Sequence, residues 1–104
     1  MRRGEVWWAE LPAPAGRRPV VLISRDQAYA VRASVTVAPV TRTIRSIPVE
    51  VQLGPEDGMP AECVVNADDI LTVPLARIRD RITTLSQQKI DAVGSAVRFA
   101  LDLD

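Results

Sequence analysis

The 104-residue chain has no histidine, a single lysine and a single cysteine. Without histidine it lacks the side chain that titrates near neutral pH and serves most often as a metal ligand. Ser-His-Asp and Cys-His catalytic arrangements are therefore impossible. The lone Cys63 cannot form an internal disulfide and, with no histidine beside it, argues against a zinc site. It lies in an apolar run and reads as a small core residue. The five glycines are dispersed, so there is no glycine-rich phosphate loop. No stretch approaches the roughly 20 apolar residues of a membrane span. Met1-Arg2-Arg3-Gly4-Glu5 has no apolar run behind its arginines, so no signal peptide is expected. These absences point to the cytoplasm and to a protein that needs neither metal nor cofactor.

A hydrophobic content of 47% with 25% charged residues is ordinary for a folded chain and argues against disorder. The length suits one domain, residues 1–104, with a single core. The net charge is zero but unevenly spread. Residues 1–52 hold eight arginines against four acids, and the second half holds five basic residues against nine acids. Twelve of the thirteen basic residues are arginine, the better residue for bidentate phosphate contacts. A basic patch on a neutral protein suits an anionic partner.

The apolar pattern predicts many short strands. Val6–Leu11 is the first, ended by Pro12-Ala13-Pro14-Ala15-Gly16. Pro19–Ser24 is the second, with Pro19 at its first residue, where a missing N–H leaves no ladder bond unmade. Residues 25–30 suggest one helical turn. Ser34–Val40 is a third strand, followed by the loop Thr41–Ser46 with two arginines and three hydroxyls. Pro48–Leu53 alternates cleanly, with Val49, Val51 and Leu53 on one face and Glu50 and Gln52 on the other. Cys63–Ala67, Ile70–Val73 and Arg81–Leu85 complete the strands, the last two flanking a turn at Pro74–Arg77. Ser86 is an N-cap, and Ile90, Val93, Val97 and Leu101 recur at helical spacing, predicting a helix over 87–101. The fold class expected is mainly β with a C-terminal helix: a small, strongly bent β-barrel.

The chemistry left open uses arginine, hydroxyls and single carboxylates. It suits reactions in which negative charge grows on phosphorus and must meet fixed donors. RNA carries its own nucleophile, the 2′-OH, so cleaving it requires alignment, a proton acceptor and cations around the phosphorane. Gly16-Arg17-Arg18-Pro19 mounts two guanidinium groups at the mouth of a strand, with Pro19 pushing Arg18 into an extended conformation. Arg18 can stabilise the phosphorane dianion, and Thr41 or Ser46 can donate to a non-bridging oxygen. By composition alone this is one reading among several, since an arginine patch serves plain binding equally. Asp68 and Asp69 are adjacent, and on a strand would point to opposite faces without sharing a metal.

Over nearly its whole length the chain resembles the MazF/PemK family of toxin endoribonucleases. The resemblance rests on Arg3-Gly4-Glu5-Val6-Trp7-Trp8, Gly16 to Ser24, and Val37-Ala38-Pro39-Val40-Thr41. Further matches are Val49-Glu50-Val51, Leu53 to Gly58, Cys63-Val64-Val65 running into Asp68, and Arg81 to Ser86. It implies an SH3-like barrel, a homodimer and a cognate antitoxin protein. It also implies metal-independent cleavage of single-stranded RNA to 2′,3′-cyclic phosphate and 5′-hydroxyl ends, with messenger RNA, tRNA and rRNA all open as targets. The family's catalytic arginine falls on Arg18 and its catalytic threonine on Thr41. An aspartate used as base by some members falls on Asp68. Ala67, Asp69 and Leu71 stand where the family has cysteine, glutamine and arginine, Asn66 where some relatives have arginine, and the loop 12–16 is shortened.

Arg17, Arg42, Arg45, Ser46 and Asp69 are assigned to RNA binding. Trp7 and Trp8 can stack nucleotides, though a strand would turn one of them to the core. Glu50 reads as a solvated or paired strand residue, and Tyr29 and Phe99 as packing residues. Two alternatives remain: a non-catalytic toxin that traps a protein, like the gyrase poisons sharing this barrel, and an inactive antitoxin-binding paralogue.

Overall fold

A computed structural model describes all 104 residues. Seven strands follow in chain order: β1 Glu5–Leu11, β2 Gly16–Leu22, β3 Ser34–Thr41, β4 Glu50–Leu53, β5 Cys63–Asn66, β6 Leu71–Pro74 and β7 Ile78–Thr84. A short helix α1, Ala28–Val31, precedes β3, and the long helix α2, Gln87–Leu101, ends the chain. Single 3₁₀ turns occupy Pro55–Asp57, Ala67–Asp69 and Leu75–Arg77. The strands pair in the order β4-β5-β3-β2-β1-β7, with β6 also on β3, and every pairing is antiparallel. β3 gives its first half to β6 and its last residues to β5, which bends the sheet into a half-barrel.

Alternate residues of the central strands serve two cores. Val6, Val21, Ala38 and Val40 face one, with Val51 and Leu53 of β4 and Val93 and Ala96 of α2. Ala9, Val20, Leu22 and Val37 face the other, closed by Val73 and by Ala28 of α1. Strands covered on both sides read as unbroken apolar runs, as Val20-Val21-Leu22 does. Helix α2 starts at Ser86, whose Oγ accepts from Lys89 N at 3.2 Å. It packs against β4 and the turn Ala67–Asp69. Gly4, at φ +93°, lies beneath it, where a Cβ would overlap the Ile90 side chain.

Most predicted elements are present, with shifted ends. β2 begins at Gly16, so Arg17 and Arg18 lie inside the ladder and not on a preceding loop, and Pro19 is an interior residue. β4 begins at Glu50, because Ile47–Val49 turns back through the Glu50 N–H to the Ile47 carbonyl. β7 begins three residues earlier than its apolar content suggested, since exposed Arg79–Arg81 pair with β1 on a solvent-facing edge. Leu101 and Phe99 are 50% and 63% exposed. The buried stripe of α2 runs through Ile90, Val93, Ala96 and Val97, and Phe99 lies off that face.

Candidate active site

The β2–β3 ladder runs Leu22↔Val37, Val21↔Ala38, Val20↔Pro39 and stops. Extended two steps, the same register sets Pro19 against Val40 and Arg18 against Thr41. Pro19 and Pro39 have no N–H with which to continue the ladder. The strands therefore part where Arg18 and Thr41 face each other, and a hollow of about 390 Å³ opens there. By parity Arg18 shares a face with Val20 and Leu22, and Thr41 with Val37, so both side chains leave the sheet on the same side. Both line the hollow, together with Trp8, Arg42 and Thr43. Its lining holds two arginines and no carboxylate, so its field favours an anion.

Arg18 is half-buried, and its Nε is shielded from solvent with no hydrogen-bond partner, while the residue as a whole lines the hollow. Thr41 Oγ1 accepts from Thr43 N at 3.2 Å, which orients the oxygen and leaves the hydroxyl proton to donate outward. Arg18 also lines a second hollow of about 470 Å³, walled by Pro12, Pro14, Pro39, Leu71 and Asp69. One guanidinium thus separates two depressions.

The other residues singled out in the sequence disperse around this centre. Arg42 is on the wall of the first hollow. Arg45 and Ser46 are exposed on the loop beyond it, and neither lines a hollow; Ser46 takes φ +56°. Arg17 lies over Trp8, its guanidinium carbon 4.6 Å from the ring centroid, and pairs with Asp80 at 3.6 Å. Trp8, half-buried opposite Pro19, is the tryptophan that meets the hollow; Trp7 packs on the second core and donates from its indole to Glu5 Oε1 at 2.9 Å.

Asp68 and Asp69 sit on a 3₁₀ turn, not on a strand, because Asn66 caps it: Oδ1 accepts from Asp68 N and Nδ2 donates to Asp69 Oδ2, both at 2.9 Å. Asp69 reaches the second hollow, whereas the exposed Asp68 lines neither. Glu50, read as a solvated or paired strand residue, is half-buried and paired, accepting two backbone N–H groups.

Met59, Pro60 and Ala61 also wall the first hollow. Their segment reads only as a turn-rich connection, and no local signal marks it, since it reaches the site through β4–β5 pairing. Of the two tryptophans named as possible nucleotide stackers, aligning the first two strands in register would have singled out Trp8. Cys63 is buried against the same hollow, and burial, then Glu62 and Asp57, push its thiol pKa up, keeping it uncharged. Tyr29 is pushed up to about 12, first by burial; its hydroxyl donates to the Ser24 carbonyl, and it stays neutral away from both hollows. No group of three or more acidic or cysteine side chains is placed to hold a metal ion.

Comparison with known proteins places this geometry. Residues 2–101 match the family model described as PemK-like, MazF-like toxin of type II toxin–antitoxin system. A probable endoribonuclease MazF5 of Mycobacterium tuberculosis is 42% identical over 96% of this chain and 92% of its own. A probable endoribonuclease MazF2 of the same organism is 39% identical over 94% and 95%. Among solved structures, the M. tuberculosis toxin MazF-mt6 superposes with a TM-score of 0.88 at 30% identity, covering 96% of this chain and 98% of its own. A mycobacterial endoribonuclease in complex with its cognate antitoxin gives 0.88 at 27% identity, covering 100% and 97%. With a family model covering nearly the whole chain and the half-barrel shared, the chain belongs to the PemK-like, MazF-like toxins of type II toxin–antitoxin systems.

Proposed function

We propose that this toxin is an endoribonuclease that cleaves single-stranded RNA without a metal ion, and that residues 1–104 act as one toxin domain. The observation that carries the reading is the hollow shared by Arg18 and Thr41, lined by two arginines and no carboxylate. In the step proposed, the 2′-oxygen attacks the adjacent phosphorus as its proton passes to a base. The P–O5′ bond breaks and the 5′-oxygen takes up a proton, leaving a 2′,3′-cyclic phosphate and a 5′-hydroxyl. Arg18 meets the charge growing on the non-bridging oxygens and Thr41 donates to one of them. The base is assigned to Asp68, on the turn Ala67–Asp69. Arg17, Arg42, Arg45 and Ser46 contact the RNA backbone around this centre. The relatives' names support the RNA substrate, and the mycobacterial complex supports a cognate antitoxin as partner. The working unit is a homodimer in the cytoplasm, and no helix is long and apolar enough to cross a membrane.

The test incubates purified protein with long single-stranded RNA in EDTA and maps the ends. Cleavage to cyclic-phosphate ends is expected, with loss of about 10²–10³ in kcat for Arg18→Ala and Thr41→Ala, the scale of removing one transition-state donor. Asp68→Asn is expected to lower kcat, whereas Asp69→Asn, at a residue assigned to RNA binding, is expected to raise KM. Cleavage abolished by EDTA, or full activity in Arg18→Ala, overturns the mechanism.

A further inference from the structure

Glu50 and Asn66 stand directly opposite each other in the β4–β5 register, and neither lines a hollow. Each nevertheless holds the loop beside it. Glu50 Oε1 accepts from Arg45 N and from Ser46 N, both at 2.9 Å. Its Oε2 is shielded from solvent without a partner, so the whole carboxylate is turned inward. None of the backbone hydrogen bonds outside strands and helices involves residues 42–46. Apart from the Thr43 N–H on Thr41 Oγ1, this carboxylate is the anchor of that stretch. Ser46 is held there at φ +56°, a conformation a non-glycine residue adopts at a cost. Across the ladder, Asn66 is 7% exposed and spends its side chain on Asp68 N and Asp69 Oδ2.

The two loops so held supply different parts of the site. The 42–46 loop brings Arg42 and Thr43 to the first hollow, and the turn brings Asp69 to the second. We propose that Glu50 and Asn66 are paired positioning residues that set where these two walls stand on either side of Arg18. Glu50 presents the cationic wall that binds RNA backbone. Asn66 presents the Asp69 carboxylate, an acceptor for base amino groups in the nucleotide beyond the scissile phosphate. Because they are register partners on one strand pair, the spacing of the walls is fixed by backbone geometry and not by the loops themselves.

The proposal rests on the RNA-cleavage reading, and its test separates the two. Amide hydrogen exchange in Glu50→Ala is expected to speed at Arg45 and Ser46 while the β2 amides keep their protection. With RNA, Glu50→Ala is expected to raise KM about tenfold with kcat changed less than about threefold, and Glu50→Gln, which keeps an acceptor oxygen, to recover most of the loss. Arg42→Ala is expected to raise KM in the wild-type background but little further in Glu50→Ala. Asn66→Ala is expected to change the ratio of cleavage at different sequences more than it changes KM. Unchanged exchange at Arg45 and Ser46, or additive Glu50 and Arg42 effects, overturns the proposal. So does a loss of kcat that simply follows thermal unfolding. A wild-type protein that cleaves no RNA sinks the functional reading, and the exchange result then decides the loop anchoring alone.

Discussion

The two walls of the first hollow are built in opposite ways. Arg18 stands on β2, paired with Ala9 on one side and continuous with Val20 and Leu22, which are fully buried. Arg42 and Thr43 stand on a stretch of exposed residues anchored by two hydrogen bonds to one carboxylate oxygen. The strand wall draws its rigidity from two cores, whereas the loop wall is separable from folding. A group that must meet a developing charge within tenths of an ångström belongs on the first, and groups that gather a flexible anion fit the second. The prolines mark the seam: Pro19 and Pro39 end the ladder between the walls.

The comparison breaks most severely at Leu22. It is fully buried in the second core, and Leu22→Ala is expected to destabilise by about 2–5 kcal/mol in urea unfolding, with activity lost only as the protein unfolds. Arg18→Ala separates chemistry from scaffold on the same strand. A fall in kcat of about 10²–10³, equivalent to about 2.7–4 kcal/mol, should leave unfolding free energy within about 1 kcal/mol of wild type.

Glu5 tests how the strand wall is tied down. Its carboxylate, 8% exposed, accepts from Trp7 Nε1 at 2.9 Å and Arg2 N at 3.1 Å and faces Arg81 at 3.5 Å. Burial works against its charge, but the Trp7 and Arg2 hydrogen bonds and the nearby positive charges outweigh it, leaving the pKa below the ordinary 4.5. A depressed folded-state pKa stabilises the fold fully above the unfolded value and loses that contribution as pH falls through the folded value. Glu5→Gln is therefore expected to be about 1–3 kcal/mol less stable at pH 7, with the gap closing below about pH 4.5 in unfolding measured against pH. The smallest effect belongs to the loop: Ile47→Ala, at a residue 41% exposed, should move stability by no more than about 0.5 kcal/mol. A larger loss there would mean that the loop is part of the folding unit, and the contrast between the walls would fail.

Composition and periodicity carried a large part of this protein. The absence of histidine removed whole classes of chemistry, and Ser86 with the Ile90–Val93–Val97 spacing fixed the helix from Gln87 to Leu101. Alternation in Val49-Glu50-Val51-Gln52-Leu53 named the buried face of β4. These features are local: a cap, a period of 3.6 and a period of two depend on neighbours in the chain. Family resemblance pointed to Arg18 and Thr41, and both residues line the first hollow.

What residue type and periodicity could not carry was which side chains meet one another. The pairing of β1 with β2 and β7 lays Arg17 on Trp8 beside Asp80 and leaves Arg18 lining both hollows. Glu50 alternates to the polar face as its position in the strand demands, but only the turn-back of the 42–49 loop brings two amides onto its carboxylate. Asp68 and Asp69 diverge because Asn66 winds them into a turn, where both are exposed but only Asp69 lines a hollow. The sequence by itself determined the elements and the kinds of groups available, because those follow from short-range backbone and burial preferences. The tertiary structure decided which of those groups share a hollow, because that depends on strand registers and loop contacts that bring separate elements together.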